Sequence, residues 1–204
     1  MLTQLEAHFG GTLVWKQERS GLTVAQFTGI NGRLEPESVV FATAGMSNRR
    51  MPGAPAGSAA RIELMIALPG GWQKIFEVAD PSELFAVDTL KVCANYPFQY
   101  NTWLGGGHTL PAGRPLCKQT AMAGWVFTND LLFEDPAPLK VEGEPVELLL
   151  MTPLYPLELS LAQSRGTDAL MDRLFRMVGT LQQDWSFFAA PKRPDTVGGG
   201  TIFV

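Results

Sequence analysis

Short apolar runs closed by glycine or proline dominate the chain, and only a few stretches carry a helical period. Residues 2–9 predict an opening helix that stops at Gly10-Gly11. TLVWKQE (12–18) and LTVAQF (22–27), separated by Arg19-Ser20-Gly21, predict a β-hairpin. SVVFATAG (38–45) and RIELMIALP (61–69) predict the strongest strands, apolar and β-branched, with a small-residue loop between them that is expected to be mobile. Asp80-Pro81-Ser82-Glu83 has the order of a helix start: an Asp cap, Pro at the first helical position and Glu three residues after the cap. Leu84, Val87, Leu90, Val92 and Ala94 then predict a core-facing helix that ends before Pro97. GWVFTND (124–130) and VELLLMTPL (146–154) read as two further strands joined by the loop DPAPLKVEGEP. A short helix is expected over 156–162. A last one begins at Thr167-Asp168, with Leu170, Leu174, Phe175 and Val178 facing inward. Strands, a helix, strands again and late helices point to an α+β domain and not to a regular βαβ alternation.

Composition narrows this to one well-buried domain. A chain of 204 residues can remove roughly 70% of its unfolded surface from water. Hydrophobic residues at 46% against 18% charged place it far from disordered chains. A net charge of −4 gives no electrostatic footprint for nucleic acid, and the densest basic cluster is only Arg49-Arg50. The N-terminus has neither the basic nor the apolar segment of a signal peptide, and no window approaches 18 uninterrupted apolar residues. A cytoplasmic protein without a membrane span is the expectation. Cys93 and Cys117 are too few for a disulfide framework.

Candidate chemistry is sparse. His8, Cys93, His108 and Cys117 are the whole soft-ligand supply, and no two have the local spacing of a zinc site, so no metal or cofactor is expected. Gly45-Met46-Ser47-Asn48-Arg49 begins like a nucleophile turn but lacks its second glycine and a following helix. The run Gly105-Gly106-Gly107-His108 has neither the Lys and hydroxyl of a phosphate loop nor a helix after it, because Pro111 and Pro115 follow. It reads as a backbone crossover, pinned by Asn101, Trp103 and His108. Glu142, Glu144 and Glu147 cluster in the sequence, and the first two, in a loop rich in Gly and Pro, are expected on a solvated surface. Glu63, within a strand, either faces solvent or is buried and paired, with Arg49, Arg50 or His108 as possible partners.

Three stretches in order resemble the Suppressor of fused family: TAGMSNRRM (43–51), RIELMIALPGGW (61–72) and YNTWLGGGHTLP (100–111). The looser agreement of 151–174 and of Lys192-Arg193-Pro194 extends the resemblance over 38–194. It implies one α/β-type domain over 1–194 with a central mixed β-sheet flanked by helices, and no known catalytic activity; the Gly-rich residues 195–204 are expected to form a flexible tail. Gly45, Met46, Glu63, Asn101, Trp103, Gly107 and His108 are the structural landmarks. Animal members bind and restrain a transcription factor in Hedgehog signalling, holding its peptide against a second, C-terminal domain that this chain is expected to lack. Bacterial single-domain members resemble immunity proteins that neutralise a toxin by direct binding. The expected partner is therefore a protein, such as a cognate toxin, with Ser47, Asn48, Arg49, Arg50, Trp72 and Tyr100 as contact residues. The alternative is a hydrolase-like enzyme using Ser47, Glu63 and His108, which would require at least two of these side chains bonded in an open pocket.

Overall fold

A computed structural model describes residues 1–129, 131–133, 136–180 and 184–198. The hairpin forms as expected, β1 (Thr12–Arg19) and β2 (Leu22–Thr28) meeting at a two-residue turn whose residues have φ 54° at Ser20 and 80° at Gly21. β3 (Val39–Ala44) and β4 (Ile62–Leu68) follow, buried on both faces from end to end. β5 (Thr109–Pro111), β6 (Gly124–Asn129), β7 (Leu139–Val141) and β8 (Glu144–Leu154) complete the strands. Their order is β1-β2-β3-β4-β8-β6-β5, with β7 paired to the start of β8. All neighbours are antiparallel except β4 and β8, which run parallel from Ile62↔Glu147 to Met65↔Leu150. The sheet is mixed and the fold is α+β.

Among the described residues, five helices cover the two faces: α1 (Leu2–Phe9), α2 (Trp72–Phe76), α3 (Phe85–Gln99), α4 (Pro156–Arg165) and α5 (Thr167–Thr180). α2 and α3 bury Trp72, Phe76, Val87, Leu90 and Ala94 on one face, against Phe41, Leu64 and Ile66. α1, α4 and α5 pack Phe9, Leu161, Leu170 and Leu174 on the other, against Phe27, Met65 and Leu150. The result is a three-layer stack in which alternate residues of the central strands feed two separate cores.

Several sequence expectations need correction. Asp80 does cap, accepting from the Ser82 N–H at 2.8 Å, but it caps a single 3-10 turn (Pro81–Glu83), and α3 begins only after Leu84. α3 does not stop before Pro97: the ring is buried inside the last turn, where a single missing N–H is tolerated. Val92 points to solvent with 66% exposure, because the buried stripe runs through Ala86, Val87, Leu90, Cys93, Ala94 and Pro97. In α5 the inward stripe is Leu170, Leu174 and Met177, while Phe175 is 45% exposed and leans edge-on against Trp185. The side chain of Val178, and Asp130 at the end of the expected strand 124–130, lie outside the described residues. Part of the expected loop DPAPLKVEGEP is β7, which turns into β8 through Glu142 and Gly143. The loop after Arg50 is tied at its ends: Met51 is buried, and its N–H donates to the Ala60 carbonyl at 2.7 Å.

The C-terminal segment is held by a fully buried ion pair. Arg193 grips Glu158 with both terminal nitrogens, at 2.7 and 2.6 Å, and also donates to the carbonyls of Phe188, Pro153 and Pro194. Glu158 in turn accepts from the Tyr155 and Thr196 N–H groups and the Thr196 hydroxyl. Both charges are thereby answered where water is absent. The turn Asp195–Gly198, expected as tail, is thus bonded to the domain, and residues 199–204 lie outside the described set. Burial pushes the Glu158 carboxyl up, but hydrogen bonds and charge from Arg193 hold it below the ordinary carboxylate range. Its contribution to stability is therefore complete at neutral pH and is lost as pH falls through the depressed folded value. Arg193→Ala, which strands Glu158 as an unpaired buried charge, should cost about 3–5 kcal/mol at neutral pH. Urea titrations should show that deficit shrinking on acidification.

Candidate functional site

The sequence TAGMS folds into a cradle for Glu63. At the end of β3, where pairing with β4 stops at Ala42↔Met65, the Thr43 hydroxyl donates to Glu63 Oε2 at 2.6 Å and accepts the Leu64 N–H at 2.8 Å. The chain then turns sharply through Gly45, at φ 117°, into a 3-10 turn over Met46–Asn48. That turn aims three more donors at Glu63 Oε1: the Gly45 N–H at 2.8 Å, the Ser47 N–H at 3.1 Å and the Ser47 hydroxyl at 2.6 Å. A Cβ on Gly45 would lie 2.5 Å from the Gly21 carbonyl, so both space and dihedral demand glycine. Ser47 and Glu63 have no solvent exposure. Glu63 is buried, and its partners are neutral donors from the end of β3 and the turn that follows it, not Arg49, Arg50 or His108.

The same turn is clamped from the other side. The Ser47 carbonyl accepts from Arg61 Nη1 at 2.8 Å. Arg61 also reaches Glu144 at 2.6 Å and Glu142 at 2.7 Å, and Arg50 donates to both oxygens of Glu144. Glu142 and Glu144 keep the solvent exposure expected of them, with side chains 75% and 42% exposed, and also form the β7–β8 end of this network. The hydrogen bond from Arg61 holds the Glu144 carboxyl below its ordinary range, and Glu144 raises Arg61 in return. Adjacency could not assign these partners, because 83 positions separate Arg61 from Glu144.

The glycine-histidine stretch connects α3 to β5, and its residues take different parts in that connection. Asn101 is exposed and takes φ 50°, so it serves through its backbone. It closes α3 in a Schellman turn, with the Thr102 N–H on the Pro97 carbonyl at 2.9 Å. A Cβ on Gly105 would strike the Trp103 ring at 2.3 Å, and one on Gly106 would strike Asn129 at 2.1 Å. Gly107 needs its glycine for φ 86°, and its N–H joins the Phe127 carbonyl at 2.8 Å. His108 sits half-buried edge-on to Trp103, ring centroids 4.3 Å apart. Burial lowers its pKa, opposed by a hydrogen bond with the Trp103 backbone. The three-residue hydrolase arrangement does not assemble: Ser47 and Glu63 meet, but under cover, and His108 belongs to another turn.

Of the expected contact residues, two are misplaced and four remain at the surface. Ser47 is sealed in the Glu63 cradle. Trp72 is 1% exposed and packs edge-on against Phe41 at 5.5 Å, so it is core. Asn48, Arg49, Arg50 and Tyr100 are exposed. The Arg49 guanidinium sits over the Phe98 ring at 3.7 Å, and Tyr100 leans at a tilt against Tyr96, ring centroids 4.8 Å apart. These residues bracket the outer face of α3, where Val92 and Tyr100 are the large exposed apolar groups. A hollow of about 440 Å³ lies on the Arg49 side, between Asn95 and Gly45. One of about 550 Å³ lies on the other, between Val92, Tyr96 and Tyr100 and the loop carrying Arg114 and Cys117. The pattern reading missed this face, because Val92 was counted inward. Cys93 and Cys117 are free thiols, Cys93 pushed up to about 12 by burial. No group of three His, Cys, Asp or Glu side chains among the described residues could hold a metal ion.

Comparison with known proteins supplies the family. The model of the Suppressor of fused protein (SUFU) family matches residues 19–191. No curated protein sequence matches the chain. Among solved structures, the fold resembles a SUFU homolog from Neisseria gonorrhoeae, with a TM-score of 0.65 at 16% identity, covering 98% of this chain and 96% of that one. The Sufu–Fu complex gives 0.53 at 14% identity, covering 74% and 68%. Drosophila Suppressor of Fused gives 0.54 at 12%, covering 74% of this chain but only 38% of that one.

The cradle has a measurable weight. Glu63→Gln keeps the shape but turns an amide NH2 toward buried donors, leaving at least one of them unanswered. A loss of about 2–3 kcal/mol in urea unfolding is expected. His108→Ala, at a half-exposed ring, should cost less than about 1 kcal/mol by the same measurement.

Proposed function

Since the chain belongs to the Suppressor of fused family, we propose that it is a non-catalytic protein-binding module, acting in the cytoplasm as an immunity-type protein that neutralises a cognate toxin by covering part of its surface. The observation that carries this reading is the division of its polar residues. Ser47 and Glu63, the pair best suited to chemistry, are sealed against each other, whereas the aromatic and cationic side chains around α3 face solvent over two hollows. A neighbouring structure of the same fold is that of a complex, Sufu with Fu. Exposed Tyr and Arg beside hollows of mixed polar and apolar lining have the composition of binding hot spots. Arg49, held over the Phe98 ring, is pre-organised, so little side-chain freedom is lost when a partner arrives.

We assign residues 1–194 to this one domain, closed by the Glu158–Arg193 pair. The chain beyond is an appended tail whose first residues stay bonded to the domain. The interface centres on Tyr100 and Arg49, with Asn48 and Arg50 at its rim.

The test is to co-produce the chain with the toxins encoded beside its gene. One of them should purify with it in a 1:1 complex and lose its toxicity to growing cells. Tyr100→Ala and Arg49→Ala should each weaken that complex by roughly tenfold or more, while shifting thermal unfolding very little. Failure of every neighbouring toxin to bind, or binding indifferent to both substitutions, would sink the toxin reading or the assigned face respectively.

A further inference from the structure

The sheet order ends at β5, only three residues long, and at the eight-residue β1, whose outer edge has no described strand beyond it. We propose that this edge pairs with the same edge of a second copy of the chain, antiparallel and centred on Gln17, giving a two-fold dimer with one continuous sheet.

Hairpin geometry says which groups are available. Arg19 pairs with Leu22 across the two-residue turn, and in such hairpins the flanking pair exchanges both hydrogen bonds. Alternation then turns the N–H and C=O of Arg19, Gln17 and Trp15 toward β2, and those of Glu18 and Lys16 outward. The other end of the edge is closed. A register shift falls between Leu13 and Trp15, and Glu6 of α1 takes the Leu13 N–H at 3.2 Å. The free stretch is Trp15-Lys16-Gln17-Glu18-Arg19.

Those five residues complement their own reverse. When a two-fold axis stands perpendicular to a sheet, opposed residues share a face, so the axis must pass through a residue pair of equal number. Centring on Lys16 sets lysine against lysine, and centring on Glu18 sets glutamate against glutamate. Centring on Gln17 sets Lys16 against Glu18 twice and Trp15 against Arg19 twice. The Lys16–Glu18 pairs are also the ones with outward backbone groups, so this register forms four backbone hydrogen bonds. Lysine on an open edge ordinarily discourages pairing. Here Glu18, two positions on, answers it in this register alone. Lys16, Glu18 and Arg19 are exposed and free to meet a partner strand, while Gln17 is steadied from behind by Lys91 of α3.

The experiment is sedimentation velocity on the full chain over a wide concentration series. A dimer should grow with concentration and weaken as salt rises. Lys16→Glu and Glu18→Lys should each weaken it by about tenfold, since each opposes like charges at two symmetric places. The double variant Lys16→Glu/Glu18→Lys, which restores opposite charges, should recover it. An independent probe is oxidation in a Cys117→Ser background. Gln17→Cys should cross-link, because opposed residues of a non-hydrogen-bonded pair have Cα atoms about 4.5 Å apart, and Lys16→Cys should not. A chain monomeric at every concentration overturns the proposal. So does a dimer indifferent to the single reversals, a double variant that folds but stays dissociated, or cross-linking at 16 as readily as at 17.

Discussion

A carboxylate taken wholly out of water has to be surrounded by donors, and Glu63 imposes that requirement on the centre of this fold. It sits at the start of β4, one of the two most buried strands, where any neighbour must either hydrogen-bond it or be apolar. The chain answers from the end of β3 and the turn that follows it, where Thr43, Gly45 and Ser47 supply four donors. Once that turn is closed, the exit of β3 is set, Ser47 presents its carbonyl to Arg61, and Arg61 draws the β7–β8 hairpin against the same end of the sheet. Met51, a few residues on, is carried into the core, where its sulfur accepts the Leu104 N–H at 3.4 Å. The three sequence stretches that resemble the family are therefore one assembly: a turn, the acid it encloses and the loop that docks beside it.

Much of this was legible in the sequence, for reasons of local physics. Strands buried on both faces read as unbroken apolar runs, so β3, β4, β6 and β8 were found within a residue or two. The opening helix was found because Gly10 ends it in the left-handed conformation. What stayed hidden depended on distant neighbours. β5 and β7 are three residues each and exist only because β6 and β8 are there to pair with them. α2 is too short to carry a period. Val92 and Phe175 are apolar residues that the helical phase turns outward, and a stripe drawn from hydrophobicity alone cannot see that phase.

The candidate site was legible as a set of landmarks and not as a surface. Glycine, Thr and Ser around a strand acid pointed to something built at 43–63, but the sequence could not say whether it opened to solvent. Trp72 was the clearest misplacement. A tryptophan after Pro-Gly-Gly has the look of an exposed anchor, yet it opens a five-residue helix that lies on the sheet against Phe41. Arg49 and Tyr100 are exposed although each rests against a neighbouring ring, and the Tyr100 hydroxyl accepts from Gln99 Nε2 at 3.5 Å.

The parallel ladder between β4 and β8 divides the sheet in a way that bears on how it forms. Every other pairing joins strands within the first half of the chain or within the second. Topologically the molecule is two antiparallel sheets, residues 12–68 and 109–154, sutured along four residue pairs. Each half can zip by local contacts, whereas the suture must close a loop of roughly eighty residues and is the slow, entropically costly event. Arg61 with Glu142 and Glu144, at the mouth of that seam, puts opposite charges on the two edges that have to find each other. The network that braces the finished domain is thus also placed to guide its halves into register during biogenesis.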